Sequence, residues 1–541
     1  MFVSGRAHDG GMTDERGYCD LDTGGIHWLQ TADCPEARAL VDSPAKLKCR
    51  ILRRAPRRFV SYAPGVPALL IKQYLHRGPI DFIKTLVRGA PALREWRALR
   101  EAENRRLPVP KPLALGRRER QSLLVTEFIE SAVTLEDYAK AAPAIGVKRR
   151  IIREIALLIR RMHDAGVYQR DLHLGNLLLR QGDSKREYFL LDLQRIDIDP
   201  MRGFAKRWRD LAALAGGCAY AGRSDRRYFF NSYLSVTPRL PVDEAHLGSE
   251  IERRARFHRL HLWQSREKRC LAENREYAKV SAGDFRGFAR RSEWSGALKD
   301  LLTDPRRMLE QAAIVKDSRT TTVGRVTLAN QQVFVKRYNA QGPFYAFKNL
   351  FRASRAKRGW KAGNSLFMRG IGVALPLAYL ERRRFRILRE SYLLTAAVNG
   401  SELSQLAKRQ SSDFRAKRLL LGQLARQVRR MHDRGVANRD LKADNIIAQD
   451  RGRGRYDFFI VDFDGISSGM VSSRVRARNL ARLVRAVDVL VPLTSSDRLR
   501  LVNGYLGARG SALWRKIYRD MRRVEKKLPY GAPREGLGQR G

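Results

Sequence analysis

Two short stretches of this 541-residue chain carry the same reactive residues at the same spacing: RRMHDAGVYQRDLHLGNLLL, from Arg160 to Leu179, and RRMHDRGVANRDLKADNIIA, from Arg429 to Ala448. Each places an Asp directly after an Arg (Arg170 and Asp171; Arg439 and Asp440) and an Asn five residues beyond that Asp (Asn176; Asn445). A carboxylate that accepts a hydroxyl proton, followed at this interval by an amide oxygen that binds a divalent cation, is the loop chemistry of phosphoryl transfer. Downstream, an apolar strand ends in Asp both times, YFLLDLQ at Asp192 and FFIVDFDG at Asp462, offering a second metal-binding carboxylate. Upstream, ALLIKQY and VFVKRY supply Lys72 and Lys336 for the α- and β-phosphates of a nucleotide. Lys442, two residues after Asp440, is placed to reach the transferring phosphate, where the first copy has His173.

These residues need elements to hold them, and the elements repeat with them. His163 and His432, Asp171 and Asp440, and Thr126 and Thr395 are each separated by 269 residues; Asp192 and Asp462 by 270; Lys72 and Lys336 by 264. A period this long means tandem domains and excludes a solenoid. Lys148–Ala165 and Ala416–Arg434 show apolar residues every three or four positions, the pattern of amphipathic helices, closed by Gly166 and Gly435. Further helices are expected from Ala92 and from Ala356. SLLVTEFIE and SYLLTAAV read as strands ending in a hinge, where Glu127 is placed to meet the nucleotide base. Strand, helix, strand, hinge, helix, loop, strand, Asp is the order of a two-lobed kinase. The expected fold class is α+β, two tandem bilobal protein-kinase-like domains. The expected divisions are a loosely ordered leader (1–45, with an alternative start at Met12), domain 1 (46–270), a helical linker (271–304), domain 2 (305–520) and a flexible tail (521–541).

The two copies differ. In LREWRALR, Glu95 lies on the helix after Lys72 and is placed to form the Lys/Glu ion pair of an active kinase. Aligning Trp360 with Trp96 leaves Gly359 opposite Glu95, so the second copy lacks that pair. The metal-binding Asp is followed by Leu193-Gln194 in one copy and Phe463-Asp464 in the other. Neither copy has a GxGxxG loop, and the segments ending in Gly65 and Gly324 are poor substitutes, which argues against an ordinary protein kinase. His163 and His432 invite a general-base reading, but each ends an apolar helix just before Gly, and a packed structural histidine is expected.

The formal charge of +50 favours anionic partners: nucleic acid, acidic membrane or phosphorylated glycolipid. The arginines are spread through both repeats, so charge alone does not choose among these, and a plain solvated basic surface accounts for them equally. Cys19, Cys34, Cys49, Cys218 and Cys270 form no metal-binding spacing, and an odd number suits a reducing compartment. No run approaches the roughly 20 apolar residues of a membrane span, and the first residues show no secretory pattern. A cytoplasmic protein is expected, with a peripheral position on a membrane face left open.

At REWRALR with LPVPKPLAL, at RDLHLGN and LLDLQR, at SRAKRGWKAGNSLFMRGIGVALPLAYLE, and at RDLAAL (Asp210) and RNLARL (Asn479), the chain resembles the Kdo/WaaP lipopolysaccharide kinases and the related InaA-type proteins of the protein-kinase-like superfamily. The resemblance covers roughly residues 46–270 and 305–515. It implies a cytoplasmic enzyme using ATP and Mg²⁺ to phosphorylate a heptose or Kdo sugar of the lipopolysaccharide inner core at the inner membrane. The partners implied are core glycolipid and an anionic membrane surface, with no specific nucleic acid. Two alternatives stay open: a protein or small-molecule kinase, since RDLHLGN also resembles the loop of aminoglycoside-type phosphotransferases, and a non-catalytic scaffold that binds anionic glycolipid.

Overall fold

The computed structural model describes residues 18–23, 26–31, 49–55, 58–75, 85, 89–118, 121–182, 185–199, 204–218, 220–236, 243–328, 331–339, 352–385, 387–507 and 511–527. The chain forms two units, Met1–Arg259 and Leu260–Gly541, and one element order runs through both.

The first unit opens with β1 (Tyr18–Thr23), β2 (Ile26–Thr31), β3 (Arg50–Ala55), β4 (Arg58–Ala63) and β5 (Leu69–Leu75), then α1 (Pro91–Asn104), β6 (Pro112–Arg118) and β7 (Gln121–Glu127). The seven strands make one antiparallel sheet in the order β1-β2-β6-β7-β5-β4-β3. Strand alternation turns Leu69 and Ile71 to one face, where they join Trp28, Leu113 and Val125, and turns Lys72 and Tyr74 toward α1 on the other. Helix α1 starts on Pro91, whose missing N–H costs nothing in a first turn, and buries Ala92, Glu95, Trp96, Leu99 and Ala102. The helical lobe then follows: β8 (Ala132–Thr134), α2 (Ile145–Asp164), β9 (Val167–Gln169), β10 (Leu177–Gln181), β11 (Arg186–Leu190), β12 (Ile196–Ile198), α3 (Phe204–Gly217) and α4 (Arg223–Leu234), and the division between the units falls within α5 (Glu244–Glu267). Ile151, Ile155, Leu158, Ile159 and Met162 form the buried stripe of α2. Gly166, at φ 72°, ends the helix in the left-handed region that glycine enters without penalty.

The second unit repeats this plan. Its sheet runs β13 (Tyr277–Ala282), β14 (Phe285–Arg290), β18 (Pro376–Arg384), β19 (Ile387–Ala396), β17 (Gln331–Tyr338), β16 (Thr321–Leu328), β15 (Ala313–Ser318), with α6 (Arg355–Met368) packed on it. After β20 (Ser401–Glu402) come α7 (Phe414–Asp433), β21 (Val436–Asn438), β22 (Ile446–Asp450), β23 (Tyr456–Ile460), β24 (Ile466–Ser468), α8 (Ser473–Asp488), α9 (Ser495–Leu506) and α10 (Ser511–Lys527). Asp413 caps α7, accepting from Arg415 N at 2.8 Å and Ala416 N at 2.9 Å.

Three expected divisions change. Part of the 1–45 leader is not loose: β1 and β2 pair with each other, β2 pairs with β6, and Trp28 is buried. The supposed helical linker 271–304 holds β13 and β14, which join the second sheet, and only Gly296–Thr303 within it is α-helical. The two errors have one cause, because β1-β2 and β13-β14 are the same edge hairpin in two copies. In the first, Trp28 lies opposite Gly116, where an added Cβ would stand 2.7 Å from the indole. In the second, Gly287 lies opposite Leu380, and an added Cβ would overlap the Tyr379 carbonyl. Large and small residues have exchanged strands. Residues 521–527, expected in a flexible tail, complete α10; Met12 and residues 528–541 lie outside the described residues.

Candidate active sites

Each loop is fixed from behind by a buried histidine and a residue of the following long helix. His163 Nδ1 lies 2.8 Å from Tyr233 Oη, and Asp210 of α3 accepts from Gln169 N at 2.6 Å. His432 Nδ1 lies 2.7 Å from Tyr505 Oη and its Nε2 3.0 Å from Asn479 Oδ1, while Asn479 of α8 accepts from Asn438 N at 3.0 Å. Both histidines are buried, and burial lowers their pKa, to about 4 for His432. They are packed neutral groups that position the loops, as their place before Gly suggested.

On these supports stand the loop residues. Asn176 Nδ2 donates to the Asp171 carbonyl at 3.0 Å, and Asn445 Nδ2 to the Asp440 carbonyl at 3.2 Å. Each amide therefore spends its N–H on the loop and keeps its oxygen for another ligand. Asp192 adopts φ 54°, ψ 55°, a left-handed conformation that costs a non-glycine residue on the order of 1–3 kcal/mol and persists where the surroundings impose it. The donors gathered in each unit, a carboxylate and an amide oxygen, are hard oxygen ligands suited to Mg²⁺, which keeps waters and substrate phosphates in its shell. Among the described residues no three His, Cys, Asp or Glu side chains form a group that could hold a metal ion.

In the first unit Lys72 Nζ lies 2.5 Å from Glu95 Oε1. The Glu95 carboxylate is fully buried and also accepts from Tyr74 Oη at 2.6 Å and Gln194 Nε2 at 2.9 Å. Burial alone would raise its pKa, but the charge and hydrogen bond of Lys72, with the hydrogen bonds of Tyr74 and Gln194, hold it below the ordinary carboxylate range. Gln194 Nε2 also donates to Tyr74 Oη, closing the network.

The second unit lacks the helix acid, as the alignment indicated, yet its lysine is not adrift. Lys336 Nζ lies 3.0 Å from Asp462 and 3.8 Å from Asp464. Asp464 accepts from Arg355 Nη2 at 2.5 Å and from Tyr338 Oη at 3.4 Å. Tyr338 is the counterpart of Tyr74, and Asp464 that of Gln194. Gly359 stands where Glu95 stands, and a Cβ there would come 2.9 Å from Leu393 and 3.4 Å from Tyr338 Oη. The acid has moved from the helix to the turn between β23 and β24. Burial would raise the Asp462 pKa; Lys336 outweighs it and holds the group ionised.

Other predicted residues fall as follows. Lys442 Nζ is 3.1 Å from Asp440 Oδ1, whereas His173 caps its own turn, accepting from Gly175 N at 3.1 Å. Glu127 ends β7 opposite Leu69, at the strand that leads to the hinge. In place of glycine-rich loops the β3-β4 and β15-β16 hairpins stand beside the lysine strands, and Arg58 at the start of β4 reaches Asp192 at 3.5 Å. Arg58, Tyr74, Gln194, Tyr338, Arg355 and Asp464 escaped the sequence reading. Gln194 and Asp464 were legible in principle, since their exchange mirrors that of Glu95 and Gly359.

The model of the lipopolysaccharide kinase (Kdo/WaaP) family matches residues 81–218 and 306–505, most of both units. The chain belongs to this family. Among its relatives, the lipopolysaccharide core heptose(I) kinase WaaP of Escherichia coli (strain K12) is 32% identical over 130 residues, 22% of this chain and 48% of the relative. WaaP of Pseudomonas aeruginosa is 31% identical over 185 residues, 30% of this chain and 67% of the relative. The 3-deoxy-D-manno-octulosonic acid kinase of Actinobacillus succinogenes is 31% identical over 117 residues, 20% of this chain and 47% of the relative. The chain thus spans about half the length of the first curated relatives it matches. A solved structure, WaaP in complex with acyl carrier protein, is 22% identical with a TM-score of 0.34, covering 43% of this chain and 97% of that one. No helix among the described residues is long and apolar enough to cross a membrane.

Proposed function

We propose that this member of the lipopolysaccharide kinase family transfers the γ-phosphoryl group of ATP to a sugar hydroxyl, a heptose or Kdo, of the lipopolysaccharide inner core. What supports the reading is the set of contacts each unit makes: Lys72 with Glu95 and Asn176 with the Asp171 carbonyl in the first, Lys336 with Asp462 and Asp464 and Asn445 with the Asp440 carbonyl in the second. ATP with Mg²⁺, when bound, supplies the transferable group and neutralises its charge. Lys72 and Lys336 hold the α- and β-phosphates; Asn176 with Asp192, and Asn445 with Asp462, hold the metal. Asp171 and Asp440 take the acceptor proton as the acceptor oxygen bonds to phosphorus and the bond to the ADP oxygen breaks. Lys442 neutralises charge on the transferring group in the second unit, and Glu127 marks the adenine side of the first. The +50 charge suits an acceptor bearing phosphates and carboxylates and a peripheral position on the anionic inner face of the membrane, where each nearby Lys or Arg contributes about 1 kcal/mol.

The test is transfer of labelled phosphate from ATP to deacylated core oligosaccharide by the purified chain, with mass spectrometry of lipopolysaccharide from cells with and without the gene. Asp171→Asn and Asp440→Asn are each expected to lower transfer at one hydroxyl by about 10³-fold. Undiminished transfer in the double variant, or lipopolysaccharide of unchanged mass, would sink the reading.

A further inference from the structure

We propose that Arg439, Arg478 and Arg482 of the second unit form a binding site for an anionic group, a phosphomonoester or a carboxylate, already present on the acceptor sugar and held beside Asp440. The inference rests on the reading that Asp440 faces the acceptor.

The first unit shows what this place looks like when it is closed. Arg170 donates to Asp197 of β12 from Nη2 at 2.7 Å and Nε at 3.0 Å, and Arg209 of α3 donates to the same carboxylate at 2.9 Å and to Asp210 at 3.0 Å. Two guanidinium groups meet two carboxylates, and the charges cancel.

The second unit keeps the backbone and removes the acids. The β21-β24 register sets Ser467 opposite Ala437 as β9-β12 sets Asp197 opposite Tyr168. Arg439 N donates to Gly465 O at 2.8 Å as Arg170 N donates to Arg195 O at 3.1 Å. Arg439 and Arg478 occupy the positions of Arg170 and Arg209, but Ser467 and Asn479 replace Asp197 and Asp210, and Arg482 is added where the first unit has Ala213. Arg478 and Arg482 are four residues apart on α8 and so share a face, and α8 packs on β21 and on the turn that carries Asn445. Gly465, one residue before β24, lies against the Asp440 backbone, where a Cβ would come 2.6 Å from its nitrogen.

None of the three guanidinium groups has an ion pair or hydrogen bond among the described residues, and Arg482 Nη1 is buried without a partner. Burial first, then the like charges of Arg478 and Arg439, lower the pKa of Arg482, with Asp440 as the opposing acid. An arginine does not shed its proton to relieve such repulsion; an oxyanion relieves it with charge-assisted, forked hydrogen bonds. The second site is therefore built for a sugar that an earlier phosphoryl transfer, or an acidic sugar residue, has made anionic. The first unit, with the same place neutralised by its own aspartates, carries no such demand.

The test is equilibrium binding of deacylated core oligosaccharide to the full chain without nucleotide, using untreated, dephosphorylated and carboxyl-reduced sugar. Ser467→Asp, which restores the first unit's carboxylate, and Arg482→Gln are each expected to weaken binding of untreated sugar about tenfold, whereas Ser467→Ala leaves it unchanged. The treatment that weakens binding to the parent chain, while abolishing the effect of Ser467→Asp, identifies phosphate or carboxylate as the group held. Equal binding of untreated sugar to parent and Ser467→Asp overturns the proposal, as does the discovery of phosphate on Ser467 itself, which would fill the cluster from within the chain. The affinity pattern is read without turnover. Its presence without transfer at the second site would refute the phosphotransferase reading of that unit and leave the anion site standing; its absence alongside transfer would do the reverse.

Discussion

The two units reach the same electrostatic end from opposite sides of the cleft. In the first, a helix carboxylate, Glu95, gathers Lys72, Tyr74 and Gln194; in the second, a loop carboxylate, Asp464, gathers Arg355, Tyr338 and, at longer range, Lys336. The positions have traded chemistry, Glu95 for Gly359 and Gln194 for Asp464, while the tyrosine between them stays. What phosphate-binding lysines require is an acid within reach to hold them charged and oriented; the element that supplies it is free to change. A missing helix glutamate, taken alone, is then poor evidence that a kinase-like domain is inert.

Removing each acid is the strongest way to break this comparison. Glu95→Ala leaves Lys72, Tyr74 and Gln194 facing an emptied buried site, expected to cost the first unit about 3–5 kcal/mol, and Glu95→Gln should slow transfer at its hydroxyl by about 10²-fold through misplacement of the phosphates. Asp464→Asn should slow transfer at the second unit's hydroxyl by a similar factor while leaving the first unchanged. Mapping the phosphate on each product by mass spectrometry separates the two. Full second-site transfer in Asp464→Asn would show that Asp462 alone holds Lys336, and the equivalence would fail.

The edge hairpins repeat the lesson in apolar terms. Trp28 fills the space above Gly116, whereas the backbone carbonyl of Tyr379 closes on Gly287. Trp28→Ala should destabilise the first sheet by about 3–5 kcal/mol, read as lost hydrogen-exchange protection in β2 and β6, with β14 and β18 unaffected. Loss of protection in both sheets would show that the hairpins are not independent.

What the sequence made legible follows from how far apart the informative residues lie. Helices α2 and α7 declare themselves through a local apolar period, and Asp171 and Asn176, or Asp440 and Asn445, through a fixed spacing within one loop. Lys72 and Glu95 were legible because one strand and the next helix bring them together. The edge hairpins were missed because six-residue strands such as YAKVSA and FRGFAR, embedded in charged sequence, carry too little pattern to outweigh a helical reading. Gln194 and Asp464 were seen only as departures from a motif. Their partners lie about a hundred residues away in sequence, and their role exists only once α1 or α6 has docked against the loop.

The histidines behind the loops give the last and mildest contrast. His163 faces a carboxylate, Asp210, at 3.6 Å, while His432 faces the neutral amide of Asn479 at 3.0 Å, with Arg476 and Asp433 nearby. Burial lowers both pKa values, but Asp210 pulls that of His163 back up and Asn479 has only a hydrogen bond with which to do so. A histidine whose pKa falls from 6.5 to about 4 on folding is neutral in the native state. Its contribution is complete above pH 6.5 and shrinks as the pH falls, because the unfolded chain then binds a proton that the native state refuses. His432 should therefore cost the second unit about 2 kcal/mol by pH 5 and about 3 by pH 4, and in the first unit Asp210 opposes the corresponding loss. Hydrogen exchange at pH 7.5 and pH 5, followed separately in α7 and α2, reads the two losses. Asn479→Asp, which gives His432 the partner that His163 has, should raise the pKa of His432 and shrink the second unit's acid loss. An acid loss that Asn479→Asp leaves unchanged would place its origin elsewhere than in the charge facing the ring.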